Sequence, residues 1–257
     1  MRIPFSVVVD NLEGDITTTQ TATTLPPITA FEEFVLIGHR GACGYEPENT
    51  LISFERAIAM GCLWTELDVY AVENELIVIH DDWLERTTNG TGRVMDASLA
   101  YLRSLDAGKG ERIPLLSEVI DKVDHRAGIN IELKGPDTAK PVTDLLDGYC
   151  SRGWHSDEFL LSSFDHNELA KADPRYRRGV LFSRRADYFA VADQLNAWSV
   201  NWSRKLVTPL LVETAHQRDL KVLVYTVNQP EEILAMQQMG VDGIFTDYPD
   251  RNPRTVS

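Results

Sequence analysis

An α/β fold of the (β/α)8 TIM-barrel type, with a small insertion after the second strand, is predicted by three observations. From Val35 onward, apolar strand-like runs alternate with helical patterns, the signature of repeated βα units around a parallel sheet. The chain is 257 residues long with 43% hydrophobic content, close to the roughly 250 residues that one such barrel takes. The residues with chemical potential fall just past the ends of the strand-like runs, where parallel α/β folds place their sites.

Taken in order, Val35, Leu36 and Ile37 form a buried first strand, Gly38 lets the backbone pass closely, and His39 and Arg40 stand where the strand meets its loop. Pro47, Asn49 and Thr50 open a helix on which Leu51, Phe54 and Ile58 recur at helical spacing, and Gly61 closes it. The second strand reads Trp64 to Tyr70. Glu66 and Asp68 share one of its faces by the i, i+2 rule, and they point toward the barrel axis if Leu67 and Val69 face the helices. Two such carboxylates buried unpaired would cost roughly several kcal/mol, a cost that a bound divalent cation removes. The apolar run Leu76 to Ile79 ends in His80 and Asp81. Either histidine alone reads as structural, but two that follow two barrel strands, with paired acids between them, form a constellation.

Residues 81–113 are rich in Gly and Thr and too long for an ordinary βα loop, so a small subdomain is expected there at the catalytic end of the barrel. A helix over Leu115–Val123 and a third strand over Ile129–Leu133 follow, with Glu132 and Lys134 on a common face. Further strands are expected at Phe159–Ser162, Gly179–Phe182, Ala197–Val200, Leu220–Val227 and Val241–Thr246. Thr208 and Pro209 cap a helix over Leu210–His216, and Pro230 opens one ending near Gly240. His125, His155, His166 and His216 read as surface or structural, without acidic partners at ligand spacing. Met236 and Met239 read as packing.

The formal charge of −14 argues against nucleic acid or an anionic membrane as partner and requires local positive charge around any phosphate ligand. Cys43, Cys62 and Cys150 are widely spaced and odd in number, which suggests neither a disulfide framework nor a thiolate zinc site. Cys43 reads as a small tolerated residue of the His39 loop. No apolar run approaches the ~20 residues of a membrane span, and the first residues lack a cleavage signal, so a reducing, cytoplasmic setting and no stable membrane association are expected. Residues 1–30, rich in Thr, read as an arm, extended or partly ordered, with Phe5–Val9 either adding a strand or covering the barrel bottom. Residues 31–257 read as a single catalytic domain whose tail after Pro249 is too short for a full closing helix.

Several motifs carry a resemblance. They are His39-Arg40-Gly41 followed by Pro47-Glu48-Asn49-Thr50, then His80-Asp81, Arg86-Thr87-Thr88-Asn89-Gly90 with Gly92, and Leu105-Asp106-Ala107-Gly108 before Ile113-Pro114. Late in the chain come Tyr225-Thr226-Val227-Asn228 and Thr246-Asp247-Tyr248-Pro249. In these the chain resembles the glycerophosphodiester phosphodiesterase family from about Val35 to Pro249. The resemblance implies hydrolysis of a small-molecule glycerophosphodiester to sn-glycerol 3-phosphate and an alcohol. It implies Glu132 as a metal ligand beside Glu66 and Asp68, an all-oxygen set that selects Mg2+ or Ca2+ over zinc. It also implies Lys134 on the substrate phosphate, where Arg40 suits bidentate contact.

His39 and His80 are the candidates for acid and base. Water or the substrate's own glycerol hydroxyl serves as nucleophile. Trp83, Phe164 and Tyr225 are candidates for an apolar wall, and Tyr225 departs from the Trp that the family commonly carries there. Two other readings compete: a sphingomyelinase D-like phospholipase acting on membrane lipids, and a noncatalytic barrel that binds phosphorylated ligands. The sequence leaves the oligomeric state open.

Overall fold

The computed structural model describes residues 33–252; the expected N-terminal arm lies outside them. Eight parallel strands close on themselves: β1 (Val35–Gly38), β2 (Trp64–Val72), β4 (Gly128–Leu133), β5 (Phe159–Ser163), β6 (Arg177–Phe182), β7 (Ser199–Ser203), β8 (Lys221–Tyr225) and β9 (Gly243–Thr246). They neighbour one another in that order, and β1 pairs with both β2 and β9 to complete the barrel. Around them lie α1 (Leu51–Ala59), α3 (Leu116–Val123), α4 (Ala139–Cys150), α5 (His166–Ala170), α6 (Tyr188–Gln194), α7 (Pro209–His216) and α8 (Pro230–Met239). After β9 the described residues hold only a short turn of 3-10 helix, Pro249–Arg251.

One strand departs from the expected series. Residues Glu75–Val78 form β3, which pairs antiparallel with the far half of β2, Val69 opposite Val78 and Val72 opposite Glu75. The two residues between them, Glu73 and Asn74, have φ of 49° and 66°, the left-handed pair that lets a two-residue loop reverse a twisted hairpin. His80 therefore does not follow a barrel strand. The hairpin folds back so that Ile79 N donates to Asp68 O at 3.0 Å, and this reversal returns His80 to the rim beside β2.

Alternation along the strands sorts the side chains. Leu67, Val69, Ile129, Ile131 and Leu161 pack outward with the helices in the main core, while Val35, Ile37, Trp64, Leu160, Leu223 and Phe245 fill the barrel interior as a separate cluster. Trp64 is fully buried there. It leaves no room for a side chain on β4, because a Cβ at Gly128 would sit 2.5 Å from its ring. The insertion at 81–113 has its own small core: Leu84, Val94, Leu102 and Leu105 pack on Tyr70, Val72 and Ile77 of the hairpin. Its helix α2 (Leu99–Ser104) is capped by Ser98, whose hydroxyl accepts from Tyr101 N.

Strand limits move where polar residues hide them. β6 begins at Arg177, because Arg178 buries its guanidinium against the carbonyls of Leu195 and Ala172. β7 begins at Ser199 because Ala197 is still tied to Ala192 O behind α6. β8 ends at Tyr225, two residues short of Val227, whose N–H reaches across to Phe245 O.

Candidate active site

The register of β2 and β4 sets Glu66 beside Asn130 and Asp68 beside Glu132. Since Trp64, Glu66 and Asp68 share the inward face, three carboxylates meet at the open end of the barrel, with ligand atoms within 4.8 Å of one another. Glu66 and Asp68 are buried and Glu132 nearly so. Burial, then the charges of Asp68 and Glu132, push the Glu66 carboxyl well above its usual range. Glu132 is pushed up to about 7 by burial and Asp68, against the pull of Lys134.

Cations partly compensate these acids. Lys134 Nζ donates to Glu132 Oε1 at 2.9 Å and stands 3.8 Å from Asp68 Oδ1. Burial would lower its pKa, but Glu132 and Asp68 hold it above the ordinary lysine value. Arg40 sits in the left-handed region, φ 49°, which turns its N–H to Glu66 Oε2 at 2.8 Å. Its guanidinium donates to Glu48 at 2.7 Å and lies 3.4 Å from Asp68 Oδ2. Asn49, also left-handed at φ 58°, donates to Asp68 Oδ2 at 2.9 Å. These contacts leave Asp68 Oδ1 buried with no hydrogen-bond partner. An orphaned carboxylate oxygen between two acids fits a hard divalent ion with oxygen ligands, and Glu66, Asp68 and Glu132 are the residues that could hold it.

Both histidines line one cavity of about 180 Å3 with Arg40, Glu66, Glu132, Phe164 and Tyr225. His39 Nδ1 is 2.7 Å from Asp247 Oδ1. Asp247 in turn accepts from Cys43 Sγ at 3.0 Å and from Asn228 Nδ2 at 2.6 Å. Burial alone would raise Asp247, but these hydrogen bonds and His39 bring it down to about 2. His80 Nδ1 is 2.6 Å from Asp81 Oδ1, and Arg86 clamps Asp81 while also reaching Glu48 at 2.7 and 2.8 Å. Burial keeps His80 below the ordinary histidine value despite the nearby acids. Each imidazole thus has Nδ1 tied to a carboxylate, an arrangement that fixes the ring and leaves Nε2 for proton transfer.

Of the predicted site residues, His39, Arg40, Glu66, Asp68, His80, Glu132 and Lys134 are brought together, and Phe164 stacks edge-on against Tyr225 at 5.8 Å. Trp83 is not. It is 55% exposed, pairs with Arg93 inside the insertion and is not among the residues that line the cavity. Sequence reasoning gave no role to Asp247, Asn228, Asn49 or the Glu48–Arg86–Asp81 chain, although all lie within quoted motifs. His125 and His216 do have acidic partners, Glu158 at 3.0 Å and Asp242 at 2.8 Å, supplied from distant parts of the chain and outside the cavity.

Fold and site together define a barrel enzyme with acid, cation and imidazole groups at the C-terminal rim of its strands. A model of the Glycerophosphoryl diester phosphodiesterase family matches residues 39–251. A glycerophosphodiester phosphodiesterase of Bacillus altitudinis is 35% identical over 84% of this chain and 95% of its own. One of Caldanaerobacter subterraneus subsp. tengcongensis is 34% identical with the same coverage. Among solved structures, a phosphodiesterase of Oleispira antarctica, in complex with the product sn-glycerol-3-phosphate, superposes with a TM-score of 0.77 at 30% identity, covering 84% of this chain and 94% of that one. The chain belongs to the glycerophosphodiester phosphodiesterase family and is a phosphoric diester hydrolase acting on glycerophosphodiesters.

Proposed function

We propose that the chain releases sn-glycerol 3-phosphate from a small water-soluble glycerophosphodiester, with Glu66, Asp68 and Glu132 holding one Mg2+ or Ca2+ and His39 and His80 exchanging protons with substrate. The observation that carries this reading is the orphaned Asp68 Oδ1 amid three clustered acids, in a rim whose cavity both histidines line. When bound, such an ion supplies Lewis-acid stabilisation to a nonbridging phosphate oxygen. Arg40 and Lys134 add fixed positive charge beside it, which a phosphate needs in a chain of net charge −14.

Cleavage requires a proton removed from the attacking hydroxyl and one given to the leaving alkoxide. Two imidazoles, each held at Nδ1, provide one group for each task through Nε2. Asn130, on the cavity wall, donates to Ser162 Oγ at 2.9 Å and keeps a buried carbonyl oxygen unpaired, an acceptor for a substrate hydroxyl. Phe164 and Tyr225 supply the apolar wall, and Trp83 is not assigned to it. Residues 31–257 act as one catalytic domain with the insertion forming part of the rim. Among the described residues no helix is long and apolar enough to cross a membrane. A cytoplasmic setting accords with three free cysteines.

The family match over residues 39–251 disfavours the sphingomyelinase D-like reading. The decisive assay couples released glycerol 3-phosphate to a dehydrogenase over choline, ethanolamine, glycerol and inositol diesters. Turnover on at least one of these is expected, abolished by EDTA and restored by Mg2+ or Ca2+. Chelator-resistant turnover would defeat the carboxylate site.

A further inference from the structure

We propose that His39, Cys43 and Asp247 form a second metal site, which takes a thiophilic divalent ion such as Zn2+ and switches the enzyme off. The switching rests on the reading of His39 as a proton-transfer group; the binding does not. His39 Nδ1, Cys43 Sγ and Asp247 Oδ1 lie within 4.8 Å of one another. The separations are 2.7 Å from Nδ1 to Oδ1, 3.0 Å from Sγ to Oδ1 and 4.0 Å from Sγ to Nδ1. Tetrahedral zinc with bonds of about 2.0–2.3 Å holds its nitrogen, sulfur and oxygen ligands roughly 3.2–3.7 Å apart. Each gap thus needs adjustment by roughly half an ångström, within the reach of side-chain rotation.

The donor set discriminates between ions. Thiolate and imidazole with one carboxylate suit zinc, whereas Glu66, Asp68 and Glu132 are all oxygen and suit Mg2+ or Ca2+. Thiolate and carboxylate together neutralise the ion. Asp247 is already held in place: Asn228 occupies its Oδ2, and Asp247 N donates to Asn228 Oδ1 at 2.9 Å, so Oδ1 is left as the shared acceptor of His39 and Cys43. All three residues are partly exposed, whereas Cys62 is buried. Among the described residues neither Cys62 nor Cys150 belongs to such a group.

Binding replaces the Cys43 S–H proton, released to solvent, and the hydrogen of the neutral imidazole shifts from Nδ1 to Nε2. His39 then has a metal on one nitrogen and a hydrogen on the other, and can no longer accept a proton from substrate. One ion thereby removes both a proton-transfer group and the carboxylate that orients it.

The test uses the full chain with saturating Mg2+, so that the acidic cluster is filled. Co2+ is titrated in while the near-ultraviolet thiolate-to-cobalt charge-transfer absorption is followed. A band is expected in the wild type, in Cys62→Ser and in Cys150→Ser, and its loss in Cys43→Ser. Zn2+ should inhibit hydrolysis, and in Cys43→Ser half-inhibition, measured against that variant's own rate, should need about 10-fold more Zn2+ or higher. No band in the wild type, or one that survives Cys43→Ser, overturns the site. Equal zinc sensitivity of the wild type and Cys43→Ser overturns the switch. The absorption is read without turnover, so a cobalt band in a protein inert toward glycerophosphodiesters would sink the hydrolase mechanism and leave the site standing.

Discussion

His39 and His80 face one cavity from walls of different construction. The His39 wall belongs to the barrel itself: β1 ends at Gly38, β9 at Thr246, and the carboxylate that holds the ring is fixed by a neutral amide, Asn228, through both side chain and backbone. The His80 wall is built on the returning hairpin and the insertion. Its ring is held through a relay of charges, Asp81 to Arg86 to Glu48 to Arg40, in which Arg86 is 48% exposed. Hydrogen bonding to a fixed amide depends little on ionic strength, whereas ion pairs open to solvent weaken as the Debye length falls from about 8 Å at physiological salt to about 3 Å at 1 M. The difference teaches that one of the two proposed proton-transfer groups is set by the scaffold and the other by surface electrostatics.

The comparison can be broken outright by removing the rings. His39→Ala and His80→Ala should each lower kcat by about 10²-fold or more, with the circular dichroism spectrum unchanged. Turnover at the wild-type rate in either variant would take that wall out of the mechanism. A finer cut separates the supports. Asp247→Asn should lower kcat by about 10²-fold through loss of ring orientation, at any salt concentration. Arg86→Ala should lower it by about 10-fold, the worth of one charge-assisted contact. The wild type in 1 M salt should move toward the Arg86→Ala rate. Equal salt responses of Arg86→Ala and the wild type would remove the asymmetry between the walls.

The smallest effect concerns stability in acid. The folded pKa of Asp247, about 2, lies below the ordinary aspartate value of ~3.9, so its ionised form stabilises the fold. That contribution is fully present above pH ~4 and is lost as pH falls toward 2. The urea midpoint of the wild type should therefore drop more steeply between about pH 4 and 2 than that of Asp247→Asn. Parallel slopes would show that the carboxylate contributes no pH-dependent stability.

How much was legible beforehand differed by residue. Glu66 and Asp68 were readable as a pair because strand geometry alone puts i and i+2 on one face, and apolar Leu67 and Val69 say which face is buried. Glu132 and Lys134 obeyed the same rule, but only the register of β4 on β2 decides that Glu132 lands beside Asp68. Cys43 looked like an inert loop residue, since its partner Asp247 lies 204 positions away. Trp83 does not line the cavity, and an aromatic near a catalytic motif carries no signal of which side of a subdomain it occupies. β3 passed for part of a barrel strand, since an apolar run of four residues reads alike whether parallel or antiparallel.

By itself the sequence determined the alternation of strands and helices, the inward parity of the acids and the motifs that tie the chain to its family, because periodicity and local spacing are properties of neighbouring residues. Tertiary structure alone decided who supports whom: Asp247 behind His39, the Arg86 relay behind His80, Asn49 on Asp68, and the convergence of Cys43 with an imidazole and a carboxylate. Asp247 reaches His39 and Cys43 only through barrel closure, which joins β1 to β9, while the Arg86 relay and the Asn49 contact depend on how the hairpin, the insertion and the loop after β1 fold against β2.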